Sequence, residues 1–152
     1  MACRLLSFSV SLQTSQAEDT GEERKSMAKI LVVDDDKGAT DLIEVILISS
    51  GYEPITVNDS SKAMEAADQN KPDLILLDLM MPEPTGFQLC RMLRANANFK
   101  TTPIIIITAL DNTYSRVVAI GAGANGFLRK PFHVSDLTEK VRDFLGQPGT
   151  RT

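Results

Sequence analysis

From Met27 onward, short runs of apolar and β-branched residues alternate with longer stretches that have helical spacing. This order is typical of a parallel sheet with helices packed on both faces. Residues 74–77 and 104–107 are apolar at every position, as expected of central strands that are covered on both sides. The other predicted strands are residues 30–33, 53–57 and 126–129. The pattern therefore predicts an α/β domain that is doubly wound around a five-stranded parallel sheet.

The stretches between the strands have apolar residues three and four positions apart, which predicts amphipathic helices. The first helix is expected to end at Gly51, and further helices are predicted at residues 60–70, 86–95 and 114–120. The last helix is expected to have Ser135 as its N-cap and to end before Gly146. The faces expected in the core are Leu42, Ile43, Ile46 and Leu47 in the first helix and Leu137, Val141, Phe144 and Leu145 in the last.

The length of 152 residues, of which 43% are hydrophobic, fits one domain with a single core. The formal net charge is −4 and the basic residues are scattered, so direct binding to nucleic acid is not favoured. No apolar run approaches the roughly 20 residues that span a bilayer, which argues against a membrane protein. Cys3 and Cys90 are far apart and match neither a disulfide framework nor a metal site, so a cytoplasmic location is expected.

The two ends of the chain are expected to lie outside the fold. Residues 1–26 are predicted to form a disordered extension, because residues 13–26 are polar and low in bulky apolar side chains. Residues 5–12 have the rough layout of a weak secretory signal, but three serines interrupt the apolar stretch and no clear cleavage site follows. Met27 is an alternative biological start. The folded domain is expected to cover residues 27–146, with a loose tail at 147–152.

Polar side chains stand at the carboxyl ends of four of the predicted strands. Open parallel sheets bind their ligands at that edge, where the order of the strands reverses. We therefore expect one crevice to collect three carboxylates, a hydroxyl and an ammonium group. The side chains at these strand ends are Asp34, Asp35, Asp36, Asp78, Thr108 and Lys130.

Crowded carboxylates repel one another unless a cation neutralises them, so Asp34, Asp35 and Asp78 are interpreted as ligands of a hard divalent ion. Mg²⁺ is the expected ion, because it binds a few carboxylates together with water and phosphate oxygens. A phosphate group is thereby implied as a partner. Asp78 would be the nucleophile toward the phosphoryl group, while Thr108 would hydrogen-bond that group and Lys130 would neutralise its oxygens.

Four motifs, in this order, resemble those of response-regulator receiver domains: ILVVDDD at residues 30–36, LLDLMMP at 76–82, Thr108-Ala109, and KPF at 130–132. The resemblance covers roughly residues 27–145 and implies a flavodoxin-like sheet with strand order 2-1-3-4-5. It also implies a role in two-component signalling, in which Asp78 accepts a phosphoryl group from the phosphohistidine of a histidine kinase or phosphotransfer protein. Such a domain assists its own phosphorylation and dephosphorylation but is not a conventional enzyme.

The same resemblance implies roles for individual residues. Asp35 would be a direct ligand of Mg²⁺, Asp34 would act largely through water, and the backbone carbonyl of Met80 would be a further ligand. Thr108 and Phe127 would be the switch residues, with Thr108 moving toward the phosphoryl group and the aromatic ring rotating inward. This movement would reshape the surface made by the fourth helix, fifth strand and fifth helix, where a downstream protein or a second phosphorylated copy would bind.

Some expectations concern departures from the common family pattern and local geometry. The chain departs from that pattern at Gly38, Pro84, Thr85 and Asn125. The peptide bond between Lys130 and Pro131 is expected to be cis, as is usual in the family. Met80 and Leu110, two residues beyond Asp78 and Thr108, are both apolar, from which we hypothesise a long-lived phosphorylated state.

Two other functions stay open on the sequence alone. A phosphatase of the haloacid-dehalogenase type also forms an aspartyl phosphate, but Gly38 replaces the expected Thr or Val and no cap domain is present. A receiver-like docking module without phosphotransfer is disfavoured by the intact acidic, Thr and Lys positions. Several residues also have plain structural interpretations: Asp36 in the first helical turn, Phe127 in the core, His133 in an exposed loop, and Met80, Met81 and Met92 in packing.

Overall fold

The computed structural model describes residues 26–146. Five parallel strands form one sheet in the order β2-β1-β3-β4-β5, which confirms the predicted fold class and strand order. The strands are β1 Lys29–Val33, β2 Glu53–Val57, β3 Leu74–Leu77, β4 Ile104–Thr108 and β5 Gly126–Arg129. The tail expected at residues 147–152, the secretory-signal interpretation and the expected N-terminal extension, apart from Ser26, lie outside the described residues.

Five α-helices cover the two faces of the sheet. They are α1 Lys37–Ser49, α2 Ala63–Asn70, α3 Gly86–Ala95, α4 Thr113–Gly121 and α5 Val134–Leu145, and short 3-10 turns lie at Ser60–Lys62 and Ala97–Phe99. One core cluster joins α2, α3 and α4 to the sheet, and a second joins α1 and α5 to its other face. Because β3 is covered on both sides, all four of its residues are buried, as the uninterrupted apolar run predicted.

Side-chain caps fix where several helices begin. The Asp36 carboxylate accepts from the backbone N–H of Gly38 at 2.9 Å, so Asp36 is the N-cap of α1 rather than a residue of its first turn. Thr85 and Gln88 form a capping box at the start of α3. These caps set the direction in which each helix leaves the edge of the sheet that carries the polar residues.

Several predictions about side chains are wrong. Leu42 is 53% exposed, because α1 turns the face centred on Ile43, Ile46 and Leu47 toward the sheet and Leu42 lies at the margin of that face. Phe144 in α5 is likewise 37% exposed. Met80 and Met92 are exposed as well, and of the three methionines expected to pack only Met81 is buried.

The start of α5 also differs from the prediction. The helix begins at Val134, and the N-cap is His133 rather than Ser135. The reason is that the Asp136 carboxylate, three residues on, accepts from the backbone N–H of His133 at 3.0 Å and fixes the first turn there. His133 itself is exposed, as expected.

Asn125, which looked unusual in the sequence, has a clear structural role. Its Oδ1 accepts from the backbone N–H of Ile104 at 2.8 Å and from Nη2 of Arg94 at 2.6 Å. Arg94 also donates to three backbone carbonyls, those of Phe99, Thr102 and Gly123. This network ties the end of α3 to the entry of β4 and β5.

Candidate functional site

The acidic residues after β1 and β3 lie side by side at the carboxyl edge of the sheet. Val33 pairs with Leu77 at the ends of these strands, and the backbone N–H of Asp78 donates to the carbonyl of Val33 at 3.0 Å. Asp34 and Asp78 are buried, at 3% and 6% exposed, whereas Asp35 is exposed. Carboxylate oxygens of Asp34, Asp35 and Asp78 lie within 4.8 Å of one another. The predicted acidic cluster is therefore formed.

Lys130 joins this cluster from the end of β5. Its Nζ lies 2.6 Å from Oδ2 of Asp34 and 3.6 Å from Oδ2 of Asp78. The backbone N–H of Lys130 donates to the carbonyl of Thr108, which places the lysine beside the end of β4. The peptide bond from Lys130 to Pro131 is cis, as expected, and a second cis bond, Glu83–Pro84, was not predicted.

Burial and charge act in opposite directions on the site's ionisable groups. Burial, followed by repulsion from Asp34, raises the pKa of Asp78, although the Thr108 hydroxyl, Lys130 and the backbone N–H of Met80 all favour its charged form. Burial opposes the charge on Lys130, but its hydrogen bond to Asp34 and the nearby Asp78 outweigh this effect and raise the pKa of Lys130. The positive charge of one ammonium group thus only partly compensates the negative charge of the carboxylates.

Thr108 and Met80 complete the set around Asp78. Thr108 is fully buried, its hydroxyl favours the charged form of Asp78, and its Oγ1 accepts from the backbone N–H of Leu110 at 3.2 Å. The backbone N–H of Met80 donates to Oδ1 of Asp78 at 3.3 Å, while the Met80 side chain is 57% exposed. Met80 therefore faces the site through its backbone.

Phe127 lies on β5, apart from the acidic cluster. Its side chain is half-buried, and the guanidinium carbon of Arg116 on α4 lies 4.8 Å from the centre of its ring. Nε of Arg116 is in turn 2.6 Å from Oδ1 of Asp111, three residues beyond Thr108. Neither Arg116 nor Asp111 was identified from the sequence, because a cation over an aromatic ring has no local sequence pattern.

Gly86 is a second residue that the sequence did not identify as part of the site. A Cβ atom at this position would lie 2.1 Å from the backbone oxygen of Asp78 and 2.5 Å from Cα of Leu79. The start of α3 therefore packs directly on the backbone that presents Asp78. The available signal was a glycine at the first position of a helix that Thr85 already caps, where a better helix former would otherwise be expected.

The donor set suits a hard divalent cation. Asp34, Asp35 and Asp78 are the one group of three or more ligating side chains found within residues 26–146. Asp36 is not in this group, since its carboxylate caps α1. Three carboxylates within 4.8 Å match the oxygen ligands that Mg²⁺ prefers, which it supplements with water or phosphate oxygens.

Comparisons with known proteins agree with this geometry. The profile of the response regulator receiver domain matches residues 30–142. The chain is 40% identical over 119 residues to the response regulator ArlR of Staphylococcus saprophyticus, covering 78% of this chain and 53% of that protein. It is 36% identical over 119 residues to the DNA-binding dual master transcriptional regulator RpaA of a Synechocystis species, covering 78% and 49%. The chain thus spans about half the length of these relatives.

Solved structures extend the match to the whole fold. The chemotaxis protein CheY4 of Vibrio cholerae superposes with a TM-score of 0.76 at 32% identity, covering 79% of this chain and all of that one. The receiver domain of the sensor histidine kinase PA1611 of Pseudomonas aeruginosa superposes with a TM-score of 0.74 at 32% identity, covering 80% and 100%, and has a magnesium ion coordinated in its active-site cleft. The chain belongs to the response regulator receiver domain family, whose members are regulators in two-component signalling.

Proposed function

We propose that Asp78 accepts a phosphoryl group from the phosphohistidine of a histidine kinase or phosphotransfer protein, in a reaction that requires Mg²⁺. The observation that supports this most strongly is the convergence of Asp34, Asp35 and Lys130 on the buried Asp78 carboxylate. A carboxylate oxygen of Asp78 would attack phosphorus as the phosphorus–nitrogen bond breaks, leaving neutral imidazole after proton uptake. Asp34, Asp35, Asp78 and the carbonyl of Met80 would hold the ion, which neutralises phosphoryl oxygens when bound.

Lys130 and Thr108 would act on the transferred group. The Lys130 ammonium already lies between Asp34 and Asp78, so it can move its interaction to a phosphoryl oxygen as charge accumulates there. The buried Thr108 hydroxyl, which favours the charged form of Asp78, can donate its one proton to a phosphoryl oxygen once that group is transferred. Both residues favour the phosphorylated product without turning over a substrate, which makes the domain an acceptor and not a conventional enzyme.

The output surface of this proposal is made by α4, β5 and α5. Tyr114, Val117 and Ile120 on α4 are at least 61% exposed and form an apolar stripe that a downstream protein or a second copy could cover. Movement of Thr108 would be transmitted to Phe127, whose ring Arg116 covers. Phosphorylation would thereby change this surface and bias binding.

The donor would approach on the opposite side of the site. Leu42, Val45 and Ile48 are more than half exposed along α1, and Leu42 lines a groove of about 390 Å³ together with Lys130 and Phe132. An amphipathic helix with its histidine beside this groove would bring the phosphoryl group to Asp78. The exposed apolar residues of α1 and the adjoining groove thus support a helical donor.

Nucleic acid and the membrane are not part of this proposal. RpaA is described as DNA-binding, but this chain covers only about half of that protein. The Lys and Arg residues here form no basic stripe in the sequence. None of the helices within residues 26–146 has the length and apolar composition needed to cross a membrane. We propose a domain that acts in the cytoplasm through protein contacts.

The phosphorylated state is proposed to be long-lived. Met80 and Leu110 line an apolar groove of about 430 Å³ next to Asp78, and neither side chain can orient a water molecule for attack. Replacing Met80 with Asn should therefore shorten the lifetime of the phosphoaspartate, measured by intact mass after donor removal. A lifetime of seconds in the unmodified protein with Mg²⁺ would refute the proposal.

Treatment with acetyl phosphate and Mg²⁺, followed by intact mass, distinguishes the three candidate functions. A single phosphoryl adduct that is lost in Asp78→Asn supports the acceptor function. Continued multiple-turnover hydrolysis would support a phosphatase, and no reaction would support a docking module. Asp36→Asn is the matched control, since Asn caps helices as well as Asp and Asp36 lies outside the acidic cluster.

A further inference from the structure

The loop from β2 to α2 reaches both loops that carry the acidic cluster. Nδ2 of Asn58 donates to the backbone oxygen of Asp34 at 2.8 Å and to Oγ1 of Thr40 at 2.9 Å. Two residues later, Oγ of Ser60 donates to the backbone oxygen of Pro82 at 3.0 Å. One short loop thus contacts the turn after β1 and the loop after β3.

The direction of these hydrogen bonds is fixed by their chemistry. The carbonyl of Asp34 can only accept, so Asn58 must present its amide nitrogen to it. The Thr40 hydroxyl donates to the carbonyl of Lys37 at 3.1 Å, which leaves its lone pairs for Asn58. Thr40 is 1% exposed and Ser60 is 5% exposed, so both hydroxyl groups lie where water competes poorly.

Each bond holds a backbone segment next to a proposed ligand. The Asp34 carbonyl belongs to the peptide unit that joins Asp34 to Asp35, so fixing it fixes where the Asp35 side chain leaves the backbone. Pro82 lies two residues beyond Met80, whose carbonyl is the proposed backbone ligand. The far end of the loop after β3 is fixed separately, by the close packing of Gly86 on the backbone of Asp78.

We propose that Asn58 and Ser60 are positioning residues for Mg²⁺, acting through the backbone carbonyls of Asp34 and Pro82. The inference rests on the proposed Mg²⁺-dependent function and adds two residues that no family motif in this sequence includes. Mg²⁺ requires a nearly octahedral arrangement of ligands, whereas Ca²⁺ accepts irregular sets. Loosening either loop should therefore weaken Mg²⁺ binding more than Ca²⁺ binding.

The test is a titration of the ¹⁵N-labelled full chain with Mg²⁺ and, separately, with Ca²⁺, followed by amide shifts in heteronuclear spectra. The variants are Asn58→Ala, Asn58→Leu, which keeps the side-chain size, and Ser60→Ala. Each should weaken Mg²⁺ binding by about threefold to tenfold, as expected for residues that orient ligands indirectly, and lower the Mg²⁺-to-Ca²⁺ affinity ratio. Asn70→Ala and Ser50→Ala are matched controls, because each removes a hydrogen bond to a helix carbonyl away from the site.

The outcomes separate this inference from the proposed function. If Mg²⁺ and Ca²⁺ affinities fell equally and the metal-free variants had a lower Tm, the two residues would be merely structural. This result would overturn the inference. Unchanged Mg²⁺ affinity in all three variants, in a protein that still accepts a phosphoryl group on Asp78, would overturn the inference alone. Failure of the unmodified protein to bind Mg²⁺ would overturn both.

Discussion

Gly86→Ala should destabilise this protein, although the same change stabilises most helices. Replacing glycine with alanine inside a helix is favourable by up to about 1 kcal/mol. At Gly86, however, the new Cβ would lie 2.1 Å from the backbone oxygen of Asp78, where ordinary contact begins at 3.4 Å. The atoms it meets are backbone atoms of Asp78 and Leu79, which cannot rotate away as a side chain would.

The magnitude follows from how far the two backbones must separate. Restoring ordinary contact requires a movement of about 1.3 Å between the start of α3 and the end of β3. Overpacking of this kind costs about 1–3 kcal/mol, and the immobile backbone places Gly86 at the upper end. After the helix-propensity gain, we expect a net loss of about 2 kcal/mol, or roughly 6–10 °C in Tm for a domain of this size.

Thermal unfolding followed by circular dichroism in EDTA measures this effect without any metal contribution. Gly121→Ala is the matched control, since no atom lies within 4 Å of the Cβ it would create at the end of α4. That variant should be as stable as the unmodified protein or more stable. A Gly86→Ala protein that is as stable as the Gly121→Ala protein would refute the account of how α3 packs on the Asp78 backbone.

Three further predictions concern stability. Arg94→Ala should lower the free energy of unfolding in urea by about 2–4 kcal/mol, because three backbone carbonyls and Asn125 Oδ1 lose the hydrogen bonds that Arg94 donates. Arg94→Lys should recover only part of this loss, and full recovery would show that charge alone matters. Burial and Asp34 raise the pKa of Asp78, so the stability of the metal-free protein falls as the pH rises from 3.8 through the raised pKa. Asp78→Asn should therefore be more stable than the unmodified protein at neutral pH but not below pH 3.8. An equal gain in stability at every pH would contradict this prediction. Lys130→Met should lower the free energy of unfolding by about 2 kcal/mol at neutral pH. This is less than the cost of breaking a fully buried ion pair, because the Lys130 side chain is 22% exposed. The raised pKa of Lys130 implies that its contribution is present below pH 10.5 and is lost above it, so a gap between the two proteins that persists at higher pH would count against the ion pairs.

The sequence predicted the sheet well because its signals are local. Strands covered on both faces are apolar at every position, so β3 and β4 stood out, and parallel strands end at a common edge, so the residues that follow them had to meet. Asp34, Asp78, Thr108 and Lys130 were brought together by this rule. These residues converge because the strands that precede them are parallel and end at the same edge of the sheet.

The errors and omissions arise where tertiary contacts decide. Leu42 fits the apolar spacing of α1, yet the rotation of the helix on the sheet leaves it exposed. Asn58 and Ser60 act on carbonyls 24 and 22 residues away in the chain, and no local pattern indicates such a partner. The start of α5 was misplaced because Ser135 is a residue type that often caps helices, whereas the hydrogen bond to Asp136 places the N-cap two residues earlier, at His133.

The most direct test of the central claim is to identify the phosphorylated side chain chemically. Borohydride reduces an acyl phosphate on Asp78 to a primary alcohol, which converts the residue to homoserine. Homoserine is stable and can be identified by peptide mass spectrometry. After treatment with acetyl phosphate and Mg²⁺, we predict homoserine at position 78, and none when Mg²⁺ is omitted or when Asp78 is replaced with Asn. Homoserine at another carboxylate, or no homoserine in a folded and Mg²⁺-bound protein, would contradict the assignment of Asp78 as the phosphoryl acceptor.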